Sequence, residues 1–145
     1  MFPMPRRLAV LCALVLSGTT AIVVHTGAVQ RRRPPGAEFS GAAFRFNRIQ
    51  DGIYHAVGTG ALSVGCNATI IVNDEDVLIV DSHSTPAAAW ALAEQVKTVT
   101  DKPVTHIINT HTHGDHVGSN EFFDPKVEII AQENTGANMQ RMDVF

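Results

Sequence analysis

From residue 44 onward, apolar and polar positions follow two different periods. Phe44-Arg45-Phe46-Asn47-Arg48-Ile49 alternates apolar and polar residues, which predicts a half-exposed strand. Asp51-Gly52 is a turn signal, and Ile53-Tyr54-His55-Ala56-Val57 alternates again, so the two runs form a hairpin. Gly58, Gly60 and Gly65 mark a flexible loop. Cys66 to Val72 and Val77 to Asp81 predict a second hairpin, joined by Asn73-Asp74-Glu75-Asp76. The pattern then turns helical. Thr85 is placed to cap a helix with Pro86 at its first position. That helix runs from Ala87 to about Thr98, with Trp90, Leu92, Ala93 and Val96 toward the core. Pro103 precedes the β-branched run Val104 to Thr110, which reads as a buried strand. Val117 to Phe123 predicts a short helix packing Phe122 and Phe123, Val127 to Ala131 a strand, and Glu133 to Met142 a helix capped near Gln132 or Asn134. Strand and helix alternate from Val77 onward, as an α/β layering requires.

The first thirty residues are different in kind. Arg6 and Arg7 precede the apolar run Leu8 to Leu16, and small residues follow from Ser17 to Ala21. This is the build of an export signal. The rival reading is an uncleaved anchor, because Leu8 to Val29 approaches the roughly 20 residues that cross a bilayer. The chain therefore divides into a signal peptide or amino-terminal anchor (1–30), a linker with Pro34, Pro35 and Gly36 (31–42), and a domain (43–145). The expected location is the periplasm or the cell exterior, with membrane anchoring through residues 8–29 as the alternative.

Composition adds two constraints. With 45% hydrophobic and 17% charged residues, the chain is of ordinary globular make-up. A net charge of −3 gives no reason to expect a nucleic-acid partner. Five arginines (6, 7, 31, 32 and 33) precede the domain, which is therefore more acidic than the total suggests. Of the two cysteines, Cys12 would leave with a cleaved signal, so Cys66 stands alone and no intramolecular disulfide is expected. Cys66 itself reads as a small buried residue opening a strand.

The chemistry concentrates in His111-Thr112-His113-Gly114-Asp115-His116, four ligand-type residues within six positions at the end of a strand-like run. In open α/β sheets, sites gather at the carboxyl ends of strands. His111 and His113 are two apart, so in extended backbone their imidazoles face one side. Gly114 lets the chain turn, and Asp115 and His116 then face a second point nearby. Imidazole and carboxylate donors suit zinc, with iron or manganese as alternatives. His25, His55 and His106 are read as structural or solvated. His83 follows a strand end, where it either approaches the cluster or is a loop residue that faces solvent or caps the helix.

The segment His111 to His116 resembles the H-x-H-x-D-H signature of the metallo-β-lactamase-fold superfamily. Val77-Leu78-Ile79-Val80-Asp81 resembles that family's earlier strand ending in Asp, and Asn67 to Asp76 fits its opening β-meander. Asp101-Lys102-Pro103 through Gly118-Ser119-Asn120 is similar in order and spacing. The resemblance runs from Phe44 to Met142, the amino-terminal half of such a domain. It implies an α/β fold, the αββα metallo-β-lactamase sandwich, cut to that half. Asp143-Val144-Phe145, without Gly or Pro, fits a chain that stops inside the fold.

The resemblance also implies a site. His111 and His113 would bind one zinc, and Asp115 and His116 a second, with further ligands from downstream. Asp81 would support the histidine loop through hydrogen bonds without binding metal. Metal-bound hydroxide would attack a carbonyl or similar ester or amide centre, with Asp115 orienting it and taking up its proton. The implied activity is that of a metal-dependent hydrolase of a small molecule, β-lactamase-like or of the thioesterase, lactonase or phosphodiesterase kind. His116 argues against zinc β-lactamases that place Cys in the second site. The alternative is a catalytically inert truncated fragment that retains partial metal binding. A third reading, a membrane-tethered binding protein, rests only on the amino-terminal apolar span.

Overall fold

The computed structural model describes residues 32–141. The signal or anchor segment lies outside the described residues. Six strands form one sheet in sequence order: β1 (Phe44–Gln50), β2 (Ile53–Gly58), β3 (Ala68–Val72), β4 (Val77–Val80), β5 (Val104–Asn109) and β6 (Glu128–Ala131). The first four are antiparallel neighbours. From β4 onward the pairing is parallel, because helical connections carry the chain back across the sheet. The architecture is the mixed α/β sheet expected.

Helix α1 (Pro86–Val96) makes the first crossover. Thr85 caps it, its hydroxyl accepting from the Ala88 amide at 3.2 Å, and Pro86 supplies a fixed φ at the start. The buried face differs from the sequence expectation in one respect. Leu92 and Val96 are buried as anticipated, but Ala87, Ala88, Ala89 and Ala91 complete the face, while Trp90 and Ala93 are only half-buried. Small side chains let the helix lie close to the sheet, and Trp90 packs against the margin of the core.

The core forms between that helix and the inward-facing residues of the sheet. Phe44, Ala56, Ile70, Val77, Ile79, Leu92 and Ile107 are all essentially inaccessible. Along β3 and β4 the buried positions alternate with half-buried ones, as one-sided burial requires. Residues 32–42, the described part of the segment read from composition as a linker, lie against this layer. Ala37 is fully buried, and the Arg33 guanidinium sits 5.2 Å over the Trp90 ring. At the far end of the sheet order, Ile129 and Ile130 of β6 are 37% and 40% exposed. Successive strand residues face opposite sides, so β6 is open on both.

The carboxyl ends of β4 and β5 lie side by side, since Val80 pairs with Ile108 and the Asp81 amide donates to the Ile108 carbonyl at 2.9 Å. The candidate site is built on this edge.

Candidate metal centre

β5 ends at Asn109, and the chain runs through His111 and His113 into a single helical turn, α2 (Gly114–Val117). A further 3-10 turn covers Asn120–Phe122. The sequence placed one helix over Val117 to Phe123. The chain instead splits there into two short turns. Gly118 explains the packing: a Cβ on it would lie 2.4 Å from the Gly114 carbonyl oxygen and 2.9 Å from that of Ser84. Only glycine lets α2 sit this close to the loop after β4. Asn109 and Asn120 then lock strand end to turn through paired amides, at 2.7 and 3.2 Å.

The three imidazoles of the motif come together. The His111 ring centroid is 4.6 Å from that of His113 and 4.1 Å from that of His116. His111 and His113 share a side, as their spacing suggested. His116, expected to face a second point, is nearer to His111 than His113 is. Asp115 Oδ2 lies 3.5 Å from His116 Nε2. That is long for a hydrogen bond. It is close to the roughly 3.4 Å that separates two donors on one tetrahedral zinc.

The other nitrogen of His116 is already engaged. Nδ1 donates to Asp81 Oδ2 at 2.7 Å, the geometry of a charge-assisted hydrogen bond. A carboxylate can only accept, so the proton sits on Nδ1 and the Nε2 lone pair is left to face Asp115. Asp81 also accepts from the Thr110 amide at 2.9 Å and the Thr110 hydroxyl at 2.9 Å. One buried carboxylate thus holds both ends of the ligand loop. Its own backbone is in the left-handed region (φ 68°), as is that of His83 (φ 71°). Such conformations cost on the order of 1–3 kcal/mol each and persist where the surroundings enforce them. Here Ser82 supplies part of that enforcement, its amide donating to the His116 carbonyl at 2.8 Å.

Cys66, Asp81 and His116 each offer a donor atom within 4.8 Å of the others. The Asp81–His116 pair in this group is too close to be two ligands of one ion and is a hydrogen bond. Cys66 departs from its sequence reading. It precedes β3 and is half-buried, with Sγ 3.3 Å from His83 Nδ1. Burial first, then the facing carboxylates of Asp81 and Asp115, push its thiol up to about 12. It is therefore protonated, and its sulfur shares a hydrogen bond with the His83 ring. His83 is neither solvent-facing nor a helix cap. It is fully buried, and its ring centroid lies 4.9 Å from that of Phe44. Burial pushes its imidazole down to about 4, the Val64 backbone working weakly the other way.

Gly65 closes the arrangement. Its φ of +88° favours glycine, and a Cβ there would meet Ser84 Oγ at 2.9 Å and Asp115 Cβ at 3.0 Å. The β2–β3 loop thus leaves no room for a side chain between Gly65 and Asp115. Sequence reasoning saw Gly65 only as a loop residue, and it missed Ser82, Thr110 and Asn120 altogether. Their spacing from the motif carries no periodic signal. Only the adjacency of β4 and β5 brings them in. His106, read as structural, sits at the opposite end of β5, with Asp76 at 3.4 Å and Glu128 at 3.6 Å.

Comparison with known proteins bears on the fold. Residues 62–130 match the family model described as the metallo-beta-lactamase superfamily. The fold is similar to that of a metallo-β-lactamase from Hirschia baltica, at 19% identity and a TM-score of 0.58, over 70% of this chain and 49% of that one. It is similar to the FIM-1 metallo-β-lactamase of Pseudomonas aeruginosa in a mono-zinc form, at 17% identity and 0.58, over 79% and 50%. The DIM-1 metallo-β-lactamase matches at 16% identity and 0.55, over 68% and 46%. No curated protein matches the chain. The chain thus shares the fold of metallo-β-lactamases, and its residues 62–130 are similar to the metallo-beta-lactamase superfamily, a superfamily of metal-dependent hydrolases. It spans about half the length of the solved structures it resembles.

Proposed function

We propose that this chain carries the metal-binding loop of a zinc-dependent hydrolase acting on an ester, thioester or amide carbonyl of a small molecule. The observation that carries the reading is the Asp115–His116 pair. Its donors stand 3.5 Å apart, while Asp81 fixes the far side of the same imidazole. The residues fit a borderline-soft divalent ion: imidazole nitrogens from His111, His113 and His116 and a carboxylate from Asp115. Zinc held there supplies a lowered water pKa and polarisation of the electrophile.

The chain's own residues do the rest. His111 and His113 hold the ion from the strand end. Asp115 would orient the attacking water and accept its proton at the carboxylate oxygen that does not face His116, a role suited to a carboxylate that is only half-buried. Asp81 keeps His116 in the tautomer that offers Nε2. The name of the mono-zinc neighbour supports zinc as the ion. Export, proposed from residues 6–29, suits a hydrolase that meets its substrate outside the cytoplasm.

The test is turnover of a β-lactam, a thioester and a lactone by the zinc-loaded 145-residue chain. Asp115→Asn should remove turnover while zinc remains bound, and hydrolysis unaffected by that change would sink the assignment. A second reading is favoured by the span of the chain, about half that of its structural neighbours. In it, the chain binds metal through this loop without turnover, and zinc binding with no hydrolysis is its expected result.

A further inference from the structure

We infer that Cys66 is a further metal ligand of this site, giving it a sulfur donor and a preference for softer ions. The inference rests on the zinc reading above and extends it to a residue outside the motif. Three observations carry it. Cys66 Sγ lies within 4.8 Å of donor atoms on both Asp81 and His116, so the thiol borders the cluster from the β3 side. Asp81 is committed to Thr110 and His116, whereas the sulfur of that group is held only by its contact with His83. The backbone just before it, at Gly65, runs so close to Asp115, the carboxylate that faces His116 Nε2, that a Cβ there would lie 3.0 Å from Asp115 Cβ.

The sulfur's hydrogen bond to His83 is weak. Nδ1 stands 3.3 Å away, on a ring that is wholly buried and whose Nε2 has no hydrogen-bond partner among the described residues. This contact anchors the thiol at the cluster without competing strongly for it. Binding exchanges one bond for another. The S–H bond breaks, a metal–sulfur bond forms, and the proton passes to solvent. The carboxylates of Asp81 and Asp115, which oppose a thiolate on its own, hold a cation beside it. Thiolate donors favour zinc, cadmium and copper(I) over magnesium or manganese.

Cobalt(II) is the probe, loaded onto the 145-residue chain with stoichiometry measured by elemental analysis. The expected result is a near-ultraviolet thiolate-to-cobalt charge-transfer band in the wild type. That band persists in Cys12→Ser and is lost in Cys66→Ser. In parallel, zinc should slow alkylation of Cys66 by roughly tenfold or more, as a bound thiolate is withdrawn from the reagent. Peptide mapping of the unmutated chain follows that reaction without depending on a variant that folds. Bound cobalt without a thiolate band, or alkylation of Cys66 at the same rate with and without zinc, overturns this inference and leaves the zinc reading standing. No bound cobalt at saturating concentration overturns both.

Discussion

The Asp81 carboxylate and the His116 imidazole are joined by a 2.7 Å hydrogen bond across 35 residues of sequence. The same carboxylate accepts the Thr110 amide at the other end of the ligand loop. Two segments that meet only through the β4–β5 pairing are thus fixed by one side chain.

Asp81→Asn should therefore weaken metal binding more than it weakens the fold. The amide keeps an acceptor for Thr110 but can present a donor to His116 Nδ1, which turns the imidazole to the wrong tautomer. Loss of such an orienting partner typically costs about 10–100-fold in metal affinity. Zinc titration by calorimetry, beside a urea unfolding curve, separates the two effects. An affinity equal to that of the wild type would show that Asp81 does not orient His116.

His83 sets a pH dependence of stability. Its imidazole is pushed down to about 4 from an ordinary value of 6.5. Above that ordinary value it is neutral in both states and adds no slope. Between pH 6.5 and about 4 the unfolded chain binds a proton that the folded chain excludes, so stability falls as pH falls. The full effect is roughly 3 kcal/mol, reached below the folded-state value. Carboxylates titrate in the same window, so the measurement is a difference. Urea unfolding of wild type and His83→Gln at about pH 7 and about pH 4.5 should show a shallower loss in the variant. Parallel losses would place the imidazole in a more solvated setting.

The two glycines Gly65 and Gly136 should respond in opposite directions to alanine. At Gly65 the positive φ and the contacts with Ser84 and Asp115 make Gly65→Ala destabilising by about 1–3 kcal/mol. Gly136 lies within the last helix (Glu133–Met139), and a methyl added there would meet nothing within 4 Å. Gly136→Ala should therefore stabilise by about 0.5–1 kcal/mol. Thermal unfolding of both variants checks the pair. A stabilised Gly65→Ala would mean that the β2–β3 loop does not press on Asp115.

Exposed Ile129 and Ile130 should make β6 prone to self-association, since an apolar edge strand templates pairing with another chain. Ile130→Lys should lower light scattering at a given concentration with little change in unfolding midpoint. Unchanged scattering would direct attention to another surface.

The elements were legible in the sequence wherever one local rule dominates. Alternation placed β1 and β2, β-branched runs placed β5 and β6, and the Thr85-Pro86 start of α1 could be read because capping needs only neighbouring residues. The motif histidines were legible for the same reason. What stayed hidden depends on tertiary adjacency. The buried face of α1 is set by how closely the helix lies on the sheet, so four alanines fill its centre and Trp90 packs at its margin. The split after Val117 follows from the close approach of Gly118 to Ser84. Cys66 and His83 seemed unrelated, since 17 residues separate them, and only the fold places sulfur against imidazole.

The central claim is that His111, His113, Asp115 and His116 form one divalent-metal centre. Calorimetric zinc titration of the 145-residue chain, in wild type and in the His111→Ala/His113→Ala double variant, tests it most directly. The predicted result is saturable binding by the wild type, weakened by roughly tenfold or more in the double variant, with both retaining the same circular dichroism spectrum. Equal stoichiometry and affinity in the two proteins would contradict it.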